Sequence, residues 1–160
     1  FNMVHTFYPR LLKSESRRSK VILFSGGGAT KGRSNLSAYA CAKTAISRLV
    51  ETLAMEWHGQ PIDINAIAPG PIFTDMTRQM LMLPENLTGK REKDDAFKIA
   101  EQDNEAALDT VAQCVGWILA NDISGRLIAA KWDDWRNPAV VSAFQSPNIG
   151  VLRRMEPPTT

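Results

Sequence analysis

Cysteine is scarce. Cys41 and Cys114 are the only two, so no disulfide framework is available. Neither thiol stands at metal-ligand spacing from His5 or His58, the only histidines. A cysteine-stapled secreted scaffold and a zinc module are therefore excluded, and a reducing, cytoplasmic setting is expected. No apolar run is long enough to cross a bilayer, and no signal-peptide pattern opens the chain, so no membrane role is expected. Charge of one sign is also in short supply. A net charge of +2 gives no general attraction to nucleic acid or acidic lipid. The one basic cluster, Arg10, Lys13, Arg17, Arg18 and Lys20, has no aromatic residues interleaved and reads as a solvated helix end and loop. No internal repeat is visible. The chain opens on Phe1 inside a helical pattern, which is expected of a piece of a longer protein.

The apolar fraction, 44%, is enough for a real core in one ordinary domain. Apolar residues at Met3, Val4, Phe7, Tyr8, Leu11 and Leu12 predict a helical stripe over 1–14, with Pro9 expected to kink or end it. Residues 20–24 (Lys-Val-Ile-Leu-Phe) read as a short buried strand of a parallel sheet. Ser25-Gly26-Gly27-Gly28 must then turn. This turn matches neither a dinucleotide fingerprint nor a Walker loop, and the next helix starts too late to offer its N-terminus to a phosphate there.

The longest helical pattern runs over 38–57, with Ala42, Ala45, Ile46, Leu49, Leu53 and Trp57 predicted inward and Arg48, Glu51, Thr52 and Glu56 outward. Residues 62–67 alternate and meet Ala68-Pro69-Gly70-Pro71, a strand entering a rigid turn. Strand, helix, strand is a right-handed βαβ unit by default. From 72 to 103 the pattern is loose. Met76, Met80, Leu81, Met82 and Leu83 fit either a methionine-rich flap over a pocket or ordinary helix packing. A helix over 105–120 is predicted with Leu108, Val111, Ala112, Val115 and Ile118 inward. A turn at 122–125 and a last strand at 126–130 follow. Residues 136–160 read as a C-terminal tail that frays beyond Trp132 and Trp135.

Tyr39 and Lys43 are four residues apart at the head of the long helix, so they share one face. A phenol is a poor base at neutral pH, its reference pKa being about 10. An ammonium one turn away favours the phenolate and makes acid–base chemistry workable.

Strand, Ser-Gly turn, Tyr-x-x-x-Lys helix, strand and Pro-Gly turn, in this order, resemble the C-terminal half of a short-chain dehydrogenase/reductase. Tyr39-Ala40-Cys41-Ala42-Lys43 matches that family's Tyr-x-x-x-Lys motif. Asn65-Ala66-Ile67-Ala68-Pro69-Gly70-Pro71-Ile72-Phe73-Thr74 matches its strand and Pro-Gly stretch. Gly125-Arg126-Leu127-Ile128 and Trp132-Asp133-Asp134-Trp135 look like its closing strand and C-terminal segment.

The resemblance implies an α/β fold, a partial Rossmann-like doubly wound parallel sheet made of the last three strands with flanking helices, over 1–135. It implies an oxidoreductase that interconverts an alcohol and a carbonyl in a small molecule with NAD or NADP. Tyr39 would be the general acid/base. Lys43 would favour its phenolate and bond the nicotinamide ribose. Pro69, Gly70 and Ile72 would wall the nicotinamide, with the Ile72 backbone and the Thr74 side chain meeting its carboxamide. As alternatives, Pro69 and Gly70 merely turn the chain and Thr74 caps the next helix.

The family's substrate-holding serine usually stands thirteen residues before the tyrosine. That position is Gly26 here, and Ser25 stands fourteen before. A one-residue change in the loop would restore Ser25 to the role. The alternative leaves Ser25 a strand-end cap.

The family's glycine-rich dinucleotide loop, its first strands and its Asn-Ala-Gly stretch would all precede Phe1. Residues 20–24 are then expected at an exposed sheet edge, and the chain alone is expected to bind dinucleotide poorly and to aggregate or dimerise. The resemblance also implies homo-oligomers through the helices at 1–14 and 38–57. The competing reading is a catalytically inactive truncated homologue acting as a dimerisation module.

Overall fold

A computed structural model describes residues 2–13 and 17–153. The elements run α1 (Asn2–Leu11), β1 (Ser19–Phe24), a 3₁₀ turn (Gly27–Ala29), α2 (Ser37–Glu56), β2 (Ile62–Ala68), α3 (Asp75–Met82), α4 (Glu85–Thr88), α5 (Lys90–Glu101), α6 (Asn104–Ala120), β3 (Leu127–Ala129) and α7 (Pro138–Ala143). The three strands form one parallel sheet in the order β1-β2-β3.

Every residue of β2 is buried, as a strand covered on both faces requires. Its alternation sorts the core into two layers. Ile62, Ile64 and Ala66 pack with Val4, Val50, Leu53 and Trp57 of the α1–α2 side, where Tyr8 stacks on Trp57 at 5.3 Å between ring centroids. Ile67 packs with Val111, Cys114, Ile118, Trp135 and Phe144 of the α6–α7 side. Helices thus cover both faces, the doubly wound arrangement that the resemblance implies.

Several details depart from expectation. α1 runs through Pro9 to Leu11. The ring there removes one backbone donor, and Val4, Tyr8 and Leu11 still pack on the sheet. The inward face of α2 is rotated: Ser47, Val50, Glu51 and Leu53 are buried, while Ala42 and Ala45 are exposed. Glu51, expected outside, accepts from Arg48 at 2.6 Å and is also bonded by Arg153. Two guanidiniums make burial of that carboxylate tolerable.

In α6, Cys114 rather than Leu108 or Ala112 turns inward, and Leu108 is 49% exposed. Desolvation by burial, reinforced by Asp133, pushes the Cys114 thiol up to about 11, which leaves it an inert apolar filler. The loose stretch after residue 72 is three helices. The tail stays folded to the end of the described residues. Trp117 meets Trp135 and Phe144 at 6.0 and 6.1 Å, and Leu127 N donates to Gly150 O at 2.7 Å. Trp135 is buried, but Trp132 is 63% exposed. The fraying expected beyond Trp135 is therefore not found over 136–153, because these residues pack on the α6 side of the core, and 154–160 lie outside the described residues.

The sheet is tied at the amino ends of its strands by Asp63, whose side chain is 4% exposed. Arg18 donates to it through Nε and Nη2 at 2.8–3.0 Å, and Lys20 Nζ adds a bond at 2.8 Å. Two cations of the basic cluster are thus structural counter-ions to Asp63. Burial pushes the Asp63 carboxyl up, but the bonds and charges of Arg18 and Lys20 outweigh it and hold it below its ordinary value.

A folded-state value below the unfolded one, about 3.9, gives stability that is present above that pH and is lost as pH falls through the folded value. Asp63→Asn takes the buried counter-charge from two cations and leaves Lys20 only Asn121 O and the exposed Asp122. It should cost about 3 kcal/mol at neutral pH in urea titration. The variant should also show a shallower loss of stability than the wild type below about pH 4.

Candidate active site

The carboxyl ends of parallel strands are where a doubly wound sheet leaves a crevice, and here β1 ends at Phe24 and β2 at Ala68. Ser25 prolongs β1, with its N–H on Ile67 O at 2.8 Å. Its side chain is buried and turned to α2, where Oγ lies 2.9 Å from Lys43 O and 3.0 Å from Ser47 Oγ. No hydrogen bond joins Ser25 to Tyr39 among the described residues. The neighbour of the Tyr39 hydroxyl is Gly26. A Cβ built on Gly26 would lie 2.4 Å from Tyr39 Oη, and one on Gly28 would lie 3.0 Å from ring carbons Cδ1 and Cε1. Gly26 and Gly28 are therefore a bed on which the Tyr39 ring rests, and close approach is what requires glycine at these two positions.

Lys43 lies one turn along α2. Its Nζ donates to Phe24 O at 3.0 Å and stands 5.7 Å from the centre of the Tyr39 ring. An ammonium has three donors, and Phe24 O takes one.

The stretch after β2 is rigid by construction. Gly70 has φ +90°, and a Cβ there would also come 3.0 Å from Lys131 Cβ, so glycine is required twice over. Gln102 Nε2 donates to Pro71 O at 2.6 Å. Asn104 clasps Phe73 from both sides, accepting from its N–H at 2.7 Å and donating to its carbonyl at 3.4 Å. Ile72 packs against the α6–α7 core, and its carbonyl accepts from Thr77 Oγ1 at 3.2 Å. Thr74 precedes α3 and faces Thr77 Oγ1 at 3.4 Å through both its N–H and its hydroxyl. Thr74 thus holds the N-cap position of α3, with Thr77 as its partner.

Thr77 connects this stretch to Tyr39, because both line a pocket of about 50 Å³. Its apolar wall includes Leu36, Met76, Met80 and Ile99, and its polar wall includes Arg33 and Glu92. The structure thus gathers Tyr39, Lys43 and the glycine bed at one end of the sheet, and ties Ile72 and Thr74 to them through Thr77. Arg33, Glu92, Gln102 and Asn104 were not visible in the sequence as site residues. Glu92 sits in a stretch so rich in charge that only its burial, 2% exposed, separates it from its neighbours. Among the described residues no cluster of His, Cys, Asp and Glu could hold a metal ion, and no helix is long and apolar enough to cross a membrane.

A family model described as short chain dehydrogenase matches residues 1–83. A 2-dehydro-3-deoxy-D-gluconate 5-dehydrogenase of Pseudoalteromonas atlantica is 41% identical over 66 residues, 41% of this chain and 26% of that protein. An inactive 2-(S)-hydroxypropyl-CoM dehydrogenase of Xanthobacter autotrophicus is 37% identical over 68 residues, 42% of this chain and 30% of that protein. Among solved structures, the ligand-free aldohexose dehydrogenase of Thermoplasma acidophilum superposes with a TM-score of 0.60 at 19% identity, over 79% of this chain and 51% of that one. The matches span less than a third of these two curated relatives and about half of the solved structure.

The glycine bed makes a graded prediction. Gly26→Ala should displace the Tyr39 ring, seen as shifted Tyr39 ring resonances, and cost about 1–3 kcal/mol. Gly27→Ala meets nothing within 4 Å and should leave both unchanged.

Proposed function

Because the chain belongs to the short-chain dehydrogenase family, we propose that it forms the catalytic part of an oxidoreductase interconverting an alcohol and a carbonyl in a small molecule with NAD or NADP. The observation that supports this most is the placing of Lys43 one turn from Tyr39 and bonded to Phe24 O at the carboxyl end of β1, with Tyr39 lining a small pocket.

The residues present fit a nicotinamide dinucleotide. Lys43 Nζ has donors beyond the one held by Phe24 O, and suits a ribose hydroxyl. Gly70 stands in the turn just past the carboxyl end of β2. Pro69, Ile72 and Thr74 flank it as the wall for the nicotinamide. Such a cofactor, when bound, supplies or accepts the hydride.

The chain's own residues handle the proton and the substrate. Tyr39 Oη gives a proton to the carbonyl oxygen in reduction, or takes one from the alcohol in oxidation. The Lys43 ammonium favours the phenolate form of Tyr39 by its charge. Ser25 enters this scheme through α2. Its hydroxyl braces the Lys43 carbonyl and Ser47, which sets the helix that carries both Tyr39 and Lys43. Gly26 occupies the position of the family's serine, so no side-chain hydroxyl is offered there and Tyr39 carries the proton transfer.

That missing hydroxyl also favours a second reading, a catalytically inactive homologue that pairs with a copy of itself. The exposed apolar residues Met3 and Phe7 on α1, with the exposed Ala42 and Ala45 on α2, are the surface for such pairing.

Two measurements separate the readings. Tyr39→Phe removes only the hydroxyl. In the enzyme that contains this chain it should lower turnover by about 10²–10⁴-fold with the fold intact by circular dichroism; turnover near wild type would sink the proton-transfer role. Titration of the 160-residue chain with NADH and NADPH, with sedimentation alongside, asks whether it binds cofactor by itself. Saturable binding supports the enzyme reading for this chain. A dimer that binds neither, and that Phe7→Glu dissociates, supports the second.

A further inference from the structure

The segment from α3 to α5 lies against Tyr39 as a strap fastened at three places. Its ends are fixed by the Asn104–Phe73 clasp and by Gln102 on Pro71. Between them, α5 is bonded to the loop before α2 through Glu92, which accepts from Arg33. Arg33 Nε donates to Glu92 Oε1 at 3.1 Å, and Nη2 donates to Oε2. At the α4–α5 junction Gly89 packs so closely on Asn35 that a Cβ would meet its amide at 2.5 Å, which seats the strap on the loop that also carries Arg33.

The space left beside Tyr39 is about 50 Å³. That is room for a water or two, against the roughly 300 Å³ or more of a typical small-molecule site. With the strap down, the space between it and Tyr39 is too small for a substrate.

We propose that Glu92 is a positioning residue whose ion pair with Arg33 latches this strap over Tyr39, and that the pair must part to admit substrate. The inference rests on the reading of Tyr39 as the reacting group, but the latch is testable without turnover. The two partners are unequally placed. The Glu92 side chain is 1% exposed and that of Arg33 27%. Removing Arg33 leaves a carboxylate stranded in the interior, whereas removing Glu92 leaves a guanidinium that water still reaches. Opening should therefore respond more to Arg33→Ala than to Glu92→Ala. A pair that merely sat at the surface would make both substitutions silent.

The experiment uses the 160-residue chain with two readouts: backbone hydrogen exchange by peptide, and nitration of Tyr39 by tetranitromethane, with Tyr8, stacked on Trp57, as internal reference. In Arg33→Ala, protection across α5 should fall by about 100-fold, Tyr39 nitration should rise, and β2 and Tyr8 should stay unchanged. Glu92→Ala should fall between this and wild type. The charge-swapped double variant, Arg33→Glu with Glu92→Arg, should recover most of the lost protection. Wild-type exchange and nitration in Arg33→Ala would overturn the latch. So would loss of protection in β2 equal to that in α5, or a swapped pair as open as the single variants. Since neither readout depends on turnover, an inactive chain with a working latch and an active enzyme without one are distinct results.

Discussion

The structure depends on keeping one strand dry. β2 lies wholly inside, and two of its seven residues, Asp63 and Asn65, are polar. Each is tolerable only because its partners are complete. Asp63 is neutralised by Arg18 and Lys20. Asn65 spans the turn before β3, donating to Ile123 O at 2.8 Å and accepting from Arg126 N at 3.1 Å. A buried polar group without such partners would cost more than a typical contact returns. The same bonds choose the neighbours of β2: the cations come from the entry to β1, and the amide's partners from the turn that launches β3. Strand order thus follows from where two polar side chains must find company.

With the sheet set, the site is an exercise in close approach. Tyr39 reaches its place because two residues of the preceding loop have no side chain, and the chain after β2 turns where Gly70 allows both a left-handed backbone and contact with Lys131. Gly26 and Gly28 make room for the tyrosine. The fold delivers Tyr39 and Lys43 one turn apart on a rigid helix, and a helical cover held by the Asn104–Phe73 clasp, Gln102 and the Arg33–Glu92 pair.

How much of this was legible in the residues differs by element. β1, α2, β2 and α6 were, because period and punctuation agree: a short apolar run ended by glycine, a long stripe ended by Gly59 and Pro61, an alternation ended by Pro69. Tyr39 and Lys43 were legible because their spacing alone puts them on one face. The rotation of α2 was not, since Glu51 is inward only because Arg48 and Arg153 come to it, the latter from 102 residues along the chain. Nor was the pairing of Arg33 with Glu92, 59 residues apart. Charged residues read as solvated unless something distant neutralises them, and local sequence does not carry that partner. Ser25 shows the limit in one residue. Its identity suggested a substrate contact, but the direction of its side chain is set by the carbonyl of Lys43, which only the folded chain brings near.

One consequence concerns how copies of such a sheet meet. On the β3 side the chain has stopped its own growth. Gly150 lies along that margin, accepting from Leu127 N, and Phe144 closes over it. The β1 margin carries no such cover among the described residues, and Phe24 at its end is half exposed. A sheet with two open margins can add strands without limit and lengthen into a fibre. A sheet with one open margin can be joined only once. Strand addition to this sheet therefore has one direction, outward from β1.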